Sequence, residues 1–567
     1  MNASSAPAAD RRRAWSEWGA RLREHARRTL RVAYRGVAGL RSARGAPVPA
    51  ATPVPVTVSG AADVPEGYDA FTRSWVARVL GGELEPPPCA GDPEVRHDQL
   101  RLRGVLPALA EMYRDSGSHA IGGRISALVY HTMHLADRLP AEGWDTSTAA
   151  LRLVSLLRAA ETLRPAGLAP SRDPERLRNW AAAHARPLAW GALSEPAGNH
   201  EVVNAAGRAA LHLLLDPLAP LPPRLREDFH GRFARQLLPD GGHVERSPHY
   251  HAQVLALATA VSRADARRGG GLEAAMQPSL ALARRALANL LDPRAPFRLG
   301  DVSRTFSGRL PAADAREALG GLPVPGERSV SLPDFGVVVT RWATGGAEFC
   351  LVVDVGEMGH PANPGHGHAD ALSFCLFVNG CEVVADPGTF LYANEPDAMW
   401  FKLAEAHAGV RWPHQPSCTL SRFFRWRRTA PPPGFASHPG GPAGTVLHAV
   451  QEWRRGGHRY RHSRSWIPLP RGLAVVDRLS SSSGRAALSR LPLHPGATAV
   501  VDGRLARVAF PGGSAVLRTG GAAGPFRERT GWYAPTYGER VEAAALEWQV
   551  EAPRRPGESW TRIEVEA

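Results

Sequence analysis

DVGEMGHPANPGHGHADALSFCLFVNGCEVVADPGTFLY, residues 354–392, decides how the chain is read. It gathers His360, His366, His368, Asp370 and Asp386 around a short hairpin. Imidazole and carboxylate are groups that hold Zn²⁺ and that move protons near neutral pH. His366, His368 and Asp370 stand two residues apart, so an extended segment would turn all three to one face. The apolar run Ala371 to Val378 predicts a strand, Asn379-Gly380 a type I′ turn, and Cys381 to Ala385 the returning strand. That return carries Asp386 back towards the histidines. The competing reading is a histidine-rich surface loop.

Around this hairpin the hydrophobic period is two. Phe335 to Trp342, Glu348 to Val355, Ser417 to Trp426, Thr445 to Trp453, His458 to Ile467, Leu473 to Leu479, Thr498 to Val501, Val508 to Phe510 and Ser514 to Thr519 read as strands. Many short strands without intervening helices imply a β-sandwich. Upstream the period is that of a helix. Leu100 to Arg114, Arg124 to Leu139, Thr146 to Leu163, Pro174 to Leu193, His200 to Leu215, Pro223 to Leu238, Ser247 to Arg263 and Leu272 to Leu291 read as helices with short connections. The fold class is α+β multidomain: residues 1–65 a basic segment and linker, 66–325 an α/α array, 326–567 antiparallel β.

At 567 residues the chain exceeds a single core. No run of eighteen apolar residues occurs, so no transmembrane helix is expected. The net charge of +14 is concentrated at the start: residues 1–45 hold eleven arginines and three acids. A body this close to neutral argues against nucleic acid as partner. Trp15, Trp18, Leu22, Ala26, Leu30 and Ala33 fall at helical spacing among those arginines, a basic amphipathic helix that either packs on its own domain or touches an anionic surface. No apolar signal core precedes residue 50, so on sequence the protein is expected in the cytoplasm. Lys402 is the only lysine. Five cysteines without a C-x-x-C pair argue against a disulfide framework.

Several motifs, in order, carry a resemblance. Gly365-His366-Gly367-His368-Ala369-Asp370, the hairpin, then Asp386-Pro387-Gly388-Thr389-Phe390-x-Tyr392 is similar to the signature of the heparinase II/III-like polysaccharide lyases. Asn199-His200-x-x-x-Asn204, the run Asp240 to His251 (DGGHVERSPHYH), Ala406-His407, His462-x-Arg464-Ser465-Trp466 and Tyr537-Gly538 match further landmarks of that family. The resemblance runs from about Gly143 to the C-terminus. It implies an incomplete α/α toroid, a β-sandwich, and a cleft between them. It also implies a uronate-containing acidic polysaccharide or oligosaccharide as substrate, cleaved by β-elimination without an organic cofactor. Family members often work in the periplasm, at the cell envelope or outside the cell.

β-Elimination requires a neutralised carboxylate, a base for the C5 proton and an acid for the leaving oxygen. The resemblance assigns the carboxylate to Asn199 and, from the opposite side, His366. Tyr250 is then base, acid or both, and His200 is the base for the other epimer. An ordinary tyrosine titrates near ~10, so Arg246 and His249 are candidates to favour its phenolate and contact substrate; Tyr392 lines the same cleft. His368, Asp386 and His407 match the family's zinc ligands, a mainly structural Zn²⁺. The residue-level alternatives are an N-cap role for Asn199 and core roles for Tyr250 and His200. The chain departs from the family at Ala408-Gly409, where Asn-Thr is expected, and at Glu201 beside the site. These departures leave two alternatives: an acidic-glycan-binding or biosynthesis-linked protein on the same fold, and a zinc-dependent glycan hydrolase. The second is disfavoured by the lack of an H-E-x-x-H motif.

Overall fold

The computed structural model describes residues 70–84, 102, 104–135, 145–171, 173–191, 197–290, 299–302, 319, 329–413, 415–535, 537–553 and 557–566. The basic N-terminal segment and its linker lie outside the described residues.

Helices fill the first half: α1 Ala70–Gly81, α2 Val105–Ser116, α3 His119–Leu135, α4 Thr146–Leu163, α5 Pro174–Ala183, α6 Ala185–Gly191, α7 Asn199–Leu215, α8 Pro223–Arg235, α9 Pro248–Ala266 and α10 Leu272–Leu290. Their starts follow local chemistry. The Asp145 carboxylate accepts the backbone N–H groups of Ser147 and Thr148, and Asp173 and Ser247 cap helices whose first residue is proline. The helices share one apolar core, in which α4 packs along α7. None of the described helices is long and apolar enough to cross a membrane.

The helix expected over Pro174 to Leu193 is two. It breaks at His184, which lies between α5 and α6. Pro187 has no N–H to offer the carbonyl four residues back. The buried His184 ring bonds the Trp180 carbonyl at 2.9 Å and Arg152 at 3.0 Å. Burial, with Arg152 beside it, lowers its pKa to about 3, so it stays neutral.

From residue 330 the chain is antiparallel β. One sheet joins β1 Val330–Leu332, β2 Val337–Thr344, β3 Ala347–Asp354, β4 Phe374–Val378 and β5 Cys381–Val384 in sequence order. The predicted hairpin is β4–β5, with Asn379 at φ 48° and Gly380 at φ 77° in its two-residue turn. The predicted strand Ser417 to Trp426 is itself a hairpin, β7 Thr419–Arg422 and β8 Arg425–Arg428; the chain reverses at Phe423-Phe424. An eight-stranded sheet joins β9 Gly434–Gly441, β10 Gly444–Arg455, β11 His458–Leu469, β12 Gly472–Ser481, β14 Thr498–Asp502, β15 Leu505–Phe510, β16 Gly513–Gly521 and β19 Gly557–Val565. A third joins β6 Val410–Arg411, β13 Ala487–Pro492, β17 Arg527–Tyr533 and β18 Val541–Val550. The three sheets contribute to one core around Trp466, Leu473 and Leu546.

The five-stranded sheet is buried on both faces. Phe374, Leu376 and Val378 of β4 point into the β core, while Cys375 and Phe377 pack with Ala286 and Leu290 of α10. This explains why FCLFV is apolar throughout instead of alternating. It also fixes the helical part against the sheets, with the loops before and after the β4–β5 hairpin at their junction.

Candidate active site

Asn199 is not the N-cap of α7. Gly198 takes that position at φ 108°, a conformation open to glycine, and a Cβ there would collide with Glu245. The Glu245 carboxylate caps the helix instead, accepting the backbone N–H of Asn199 at 2.8 Å and its Nδ2 at 2.9 Å. Burial alone would raise the Glu245 pKa, but nearby His366 and His243 and the Asn199 bonds hold it below the usual range. A buried anion thus fixes the Asn199 amide. His200 bonds Ser147 Oγ through Nδ1 at 2.8 Å. Glu201 faces Arg235, 3.8 Å away on α8.

The run Asp240 to His251 is a loop that feeds α9. Asp240 accepts the Phe335 N–H at 2.7 Å and so ties this loop to the β part. Arg246 sits at φ 54°, an uncommon conformation for arginine. Its guanidinium donates to the Gly359 carbonyl at 2.6 Å and pairs with Glu357 at 3.1 Å. These contacts tie Arg246, and the loop that carries it, to the β part. Burial lowers the pKa of His243 to about 4 and of His251 to about 3, keeping both neutral.

Tyr250, in the first turn of α9, meets residues from the β part. Its hydroxyl is 3.0 Å from that of Tyr392, and its ring lies 4.1 Å from the His366 ring and 4.9 Å from His249. Tyr392 is half-buried, its backbone N–H bonded to the Tyr537 hydroxyl at 2.9 Å. This gives the Tyr537-Gly538 landmark a physical role: it seats Tyr392.

His366, His368 and Asp370 do not share a strand face as the spacing predicts. Pro364–His366 forms a 3₁₀ turn, and the Ser373 N–H folds back on the Asp370 carbonyl. The two histidines meet instead on Asp301, a residue the motif reading missed. Asp301 bonds His366 Nδ1 at 3.0 Å and His368 Nε2 at 2.9 Å, and both of its oxygens accept from Lys402 Nζ at 3.0 Å. Lys402 also donates to the Gly365 carbonyl at 2.8 Å. Burial opposes the Asp301 charge, but Lys402 and the two histidines hold its pKa well below the carboxylate range. With Nδ1 committed to Asp301, His366 keeps Nε2 for the cleft.

The metal candidates show a second pattern. His368 Nδ1 and His407 Nε2 are buried without a protein partner. Each ring gives its other nitrogen to a carboxylate: His368 to Asp301, and His407 Nδ1 to Asp386 at 2.9 Å. Metal-binding histidines are commonly oriented in this way. Ligand atoms of His368, Asp370 and His407 lie within 4.8 Å of one another, beside a cavity of about 30 Å³. Asp386, expected as a ligand, bonds His407 Nδ1, and the carboxylate grouped with the two histidines is that of Asp370. Burial and the adjacent Asp370 push the Asp354 pKa well up.

The Ala408-Gly409 departure does not free the loop. Arg464 donates to the carbonyls of Leu372 and Ala408, both at 2.8 Å, while paired with Asp477. The Gly409 carbonyl accepts the Arg490 N–H. Arg464 of the His462-x-Arg464 landmark thereby clamps the loops that present Asp370 and His407.

Residues 324–560 match the family described as Heparinase II/III-like, C-terminal. No curated protein matches the sequence. Among solved structures, a heparinase III aligns with TM-score 0.61 at 14% identity, over 91% of this chain and 88% of its own. The heparan sulfate lyase HepC from Pedobacter heparinus gives 0.54 at 16%, over 88% and 83%. The chondroitin AC lyase of Streptomyces coelicolor A3, solved with chondroitin sulphate, gives 0.51 at 14%, over 91% and 81%. Residues 324–560 therefore match the family's C-terminal domain, and the described chain shares its fold with heparinase III.

Proposed function

We propose that the protein is a polysaccharide lyase. On an incomplete α/α toroid joined to a β-sandwich, it cleaves a uronate-containing acidic glycan by β-elimination. The observation that carries this reading is the meeting of Tyr250 with His366 and Tyr392 across the junction, 4.1 Å and 3.0 Å away, beside a buried and anchored Asn199.

The chemistry assigns each group a task. The Asn199 amide and His366 Nε2 bond the uronate carboxylate and stabilise charge spreading into it as the C5–H bond breaks. Tyr250, as phenolate, takes that proton, while the Tyr392 hydroxyl donates to the phenolate oxygen. The pair of electrons forms the C4–C5 double bond and expels the C4 oxygen, which Tyr250 then protonates. One residue acting twice requires the proton and leaving group on the same face of the ring. For the other epimer, His200 takes the proton.

The orphaned nitrogens of His368 and His407, with Asp370, fit a Zn²⁺ ion, with Asp386 and Asp301 orienting the rings. Such an ion supplies positive charge that holds the loops bearing His366 and Tyr392. Chelation should therefore lower the melting temperature, while elimination persists in samples assayed well below it. Abrupt loss of activity in step with metal removal, without unfolding, would favour the hydrolase reading.

The test is the ultraviolet absorbance of the unsaturated uronate product on alginate, heparin, heparan sulfate, chondroitin, hyaluronan and polyglucuronate. A folded protein silent on all of them would overturn lyase action on these substrates and favour the glycan-binding reading.

A further inference from the structure

The β7–β8 hairpin has no role in the mechanism above, yet its tip stands on the site. Phe423 is buried and packs its ring 4.5 Å from the Lys402 ammonium. Phe424, next to it, is 44% exposed. Its ring lies edge-on to His366 at 5.3 Å and to Tyr392 at 5.1 Å. A Cβ on Gly365 would come within 3.1 Å of the Phe424 carbonyl, so the tip rests directly on the turn that carries His366. Thr419–Arg428 contains Arg422, Arg425, Arg427 and Arg428 and no acidic residue. Arg422 and Arg425 are exposed and face each other across the turn.

An exposed phenyl ring beside a polar cleft is costly in water, and it needs an occupant with an apolar face. The flanking guanidiniums need anions, which they bind bidentately. A pyranose that carries carboxylate or sulfate supplies both: its axial C–H bonds point at the negative face of the ring, and its acidic groups lie at its rim. We propose that Arg422–Arg425 forms a sugar subsite adjoining the cleavage point, in which one anionic pyranose stacks on Phe424 while Arg422 and Arg425 take its acidic substituents. Its placement next to the bond cleaved rests on the lyase reading; its binding chemistry does not.

The test uses full-length protein carrying Tyr250→Phe, so that binding is read without turnover. Hexasaccharides of heparan sulfate, chondroitin sulfate and polyglucuronate are titrated by calorimetry. Phe424→Ala should weaken binding of the preferred hexasaccharide about tenfold, with a small drop in melting temperature from the lost ring contacts; Phe424→Leu, which keeps apolar bulk without an aromatic face, should keep the melting temperature and still bind weakly. Phe424→Trp should restore binding. The double change Arg422→Gln with Arg425→Gln should weaken binding and flatten its salt dependence. Equal affinity in Phe424→Ala, or a Trp variant as weak as Ala, overturns the subsite, as does a parent that binds none of the three. Turnover without dependence on Phe424 sinks the subsite and spares the lyase. Phe424-dependent binding without turnover in the Tyr250 protein does the reverse.

Discussion

Tyr250→Phe should reduce kcat/KM on the active polymer by about 10³-fold, within the range usual for loss of a general acid or base. The fold should survive. The ring keeps its contacts with His249 and His366, and what is lost is the hydroxyl, with its bond to Tyr392. One net hydrogen bond contributes about 1 kcal/mol, so the melting temperature should move by no more than about 2–4 °C. Tyr392→Phe separates the roles: it leaves the base in place and removes the donor to it, so its rate loss should be smaller, about tenfold to hundredfold. Activity that survives in Tyr250→Phe would remove the tyrosine from the chemistry and move the base to His200.

The parts of the fold legible in sequence are those fixed by local chemistry. Asn379-Gly380 specified its hairpin because few other pairs accept two positive φ angles. Ser247-Pro248 and Asp173-Pro174 marked helix starts because the cap and the missing N–H are features of neighbouring residues. What was missed depends on context. β9 is rich in glycine and proline and survives as an edge strand of its sheet. The alanine-rich β18 reads weakly as a strand on its own and is held by β13 and β17 on either side. The split at His184 needed Arg152 from another helix.

The site divides in the same way. Tyr250, Asn199, His366 and His407 were visible because each sits in a local motif. Asp301 was not, because its partners are 65, 67 and 101 residues away. The only available signal was Gly300-Asp301, a glycine at φ 64° that lets the chain pass close to the His366 carbonyl. Spacing at two suggested that His366 and His368 share a strand face, when what they share is one carboxylate. Glu245 was in view but without a task until its contact with the start of α7 was known.

Lys402 offers the other large effect. In a chain whose remaining basic residues are arginine, its ammonium alone is placed in full burial, with three donors directed at the two Asp301 oxygens and the Gly365 carbonyl. Lys402→Met should cost about 3–5 kcal/mol, because it leaves the Asp301 carboxylate buried without its cation. Lys402→Arg should fail as well, by about 1–3 kcal/mol, since a planar, bulkier group cannot reach the same three acceptors without displacing Phe423. Asp301→Asn alone should be similarly harmful, but the double variant Asp301→Asn with Lys402→Met should lose clearly less than the sum of the two, since no uncompensated charge remains. Denaturant titration of the four proteins closes that cycle, and additive losses would show that the pair is not coupled. The activity of the double variant then isolates the second task of Asp301. If the carboxylate sets His366 for the cleft, kcat should stay depressed in the double variant even where folding is restored.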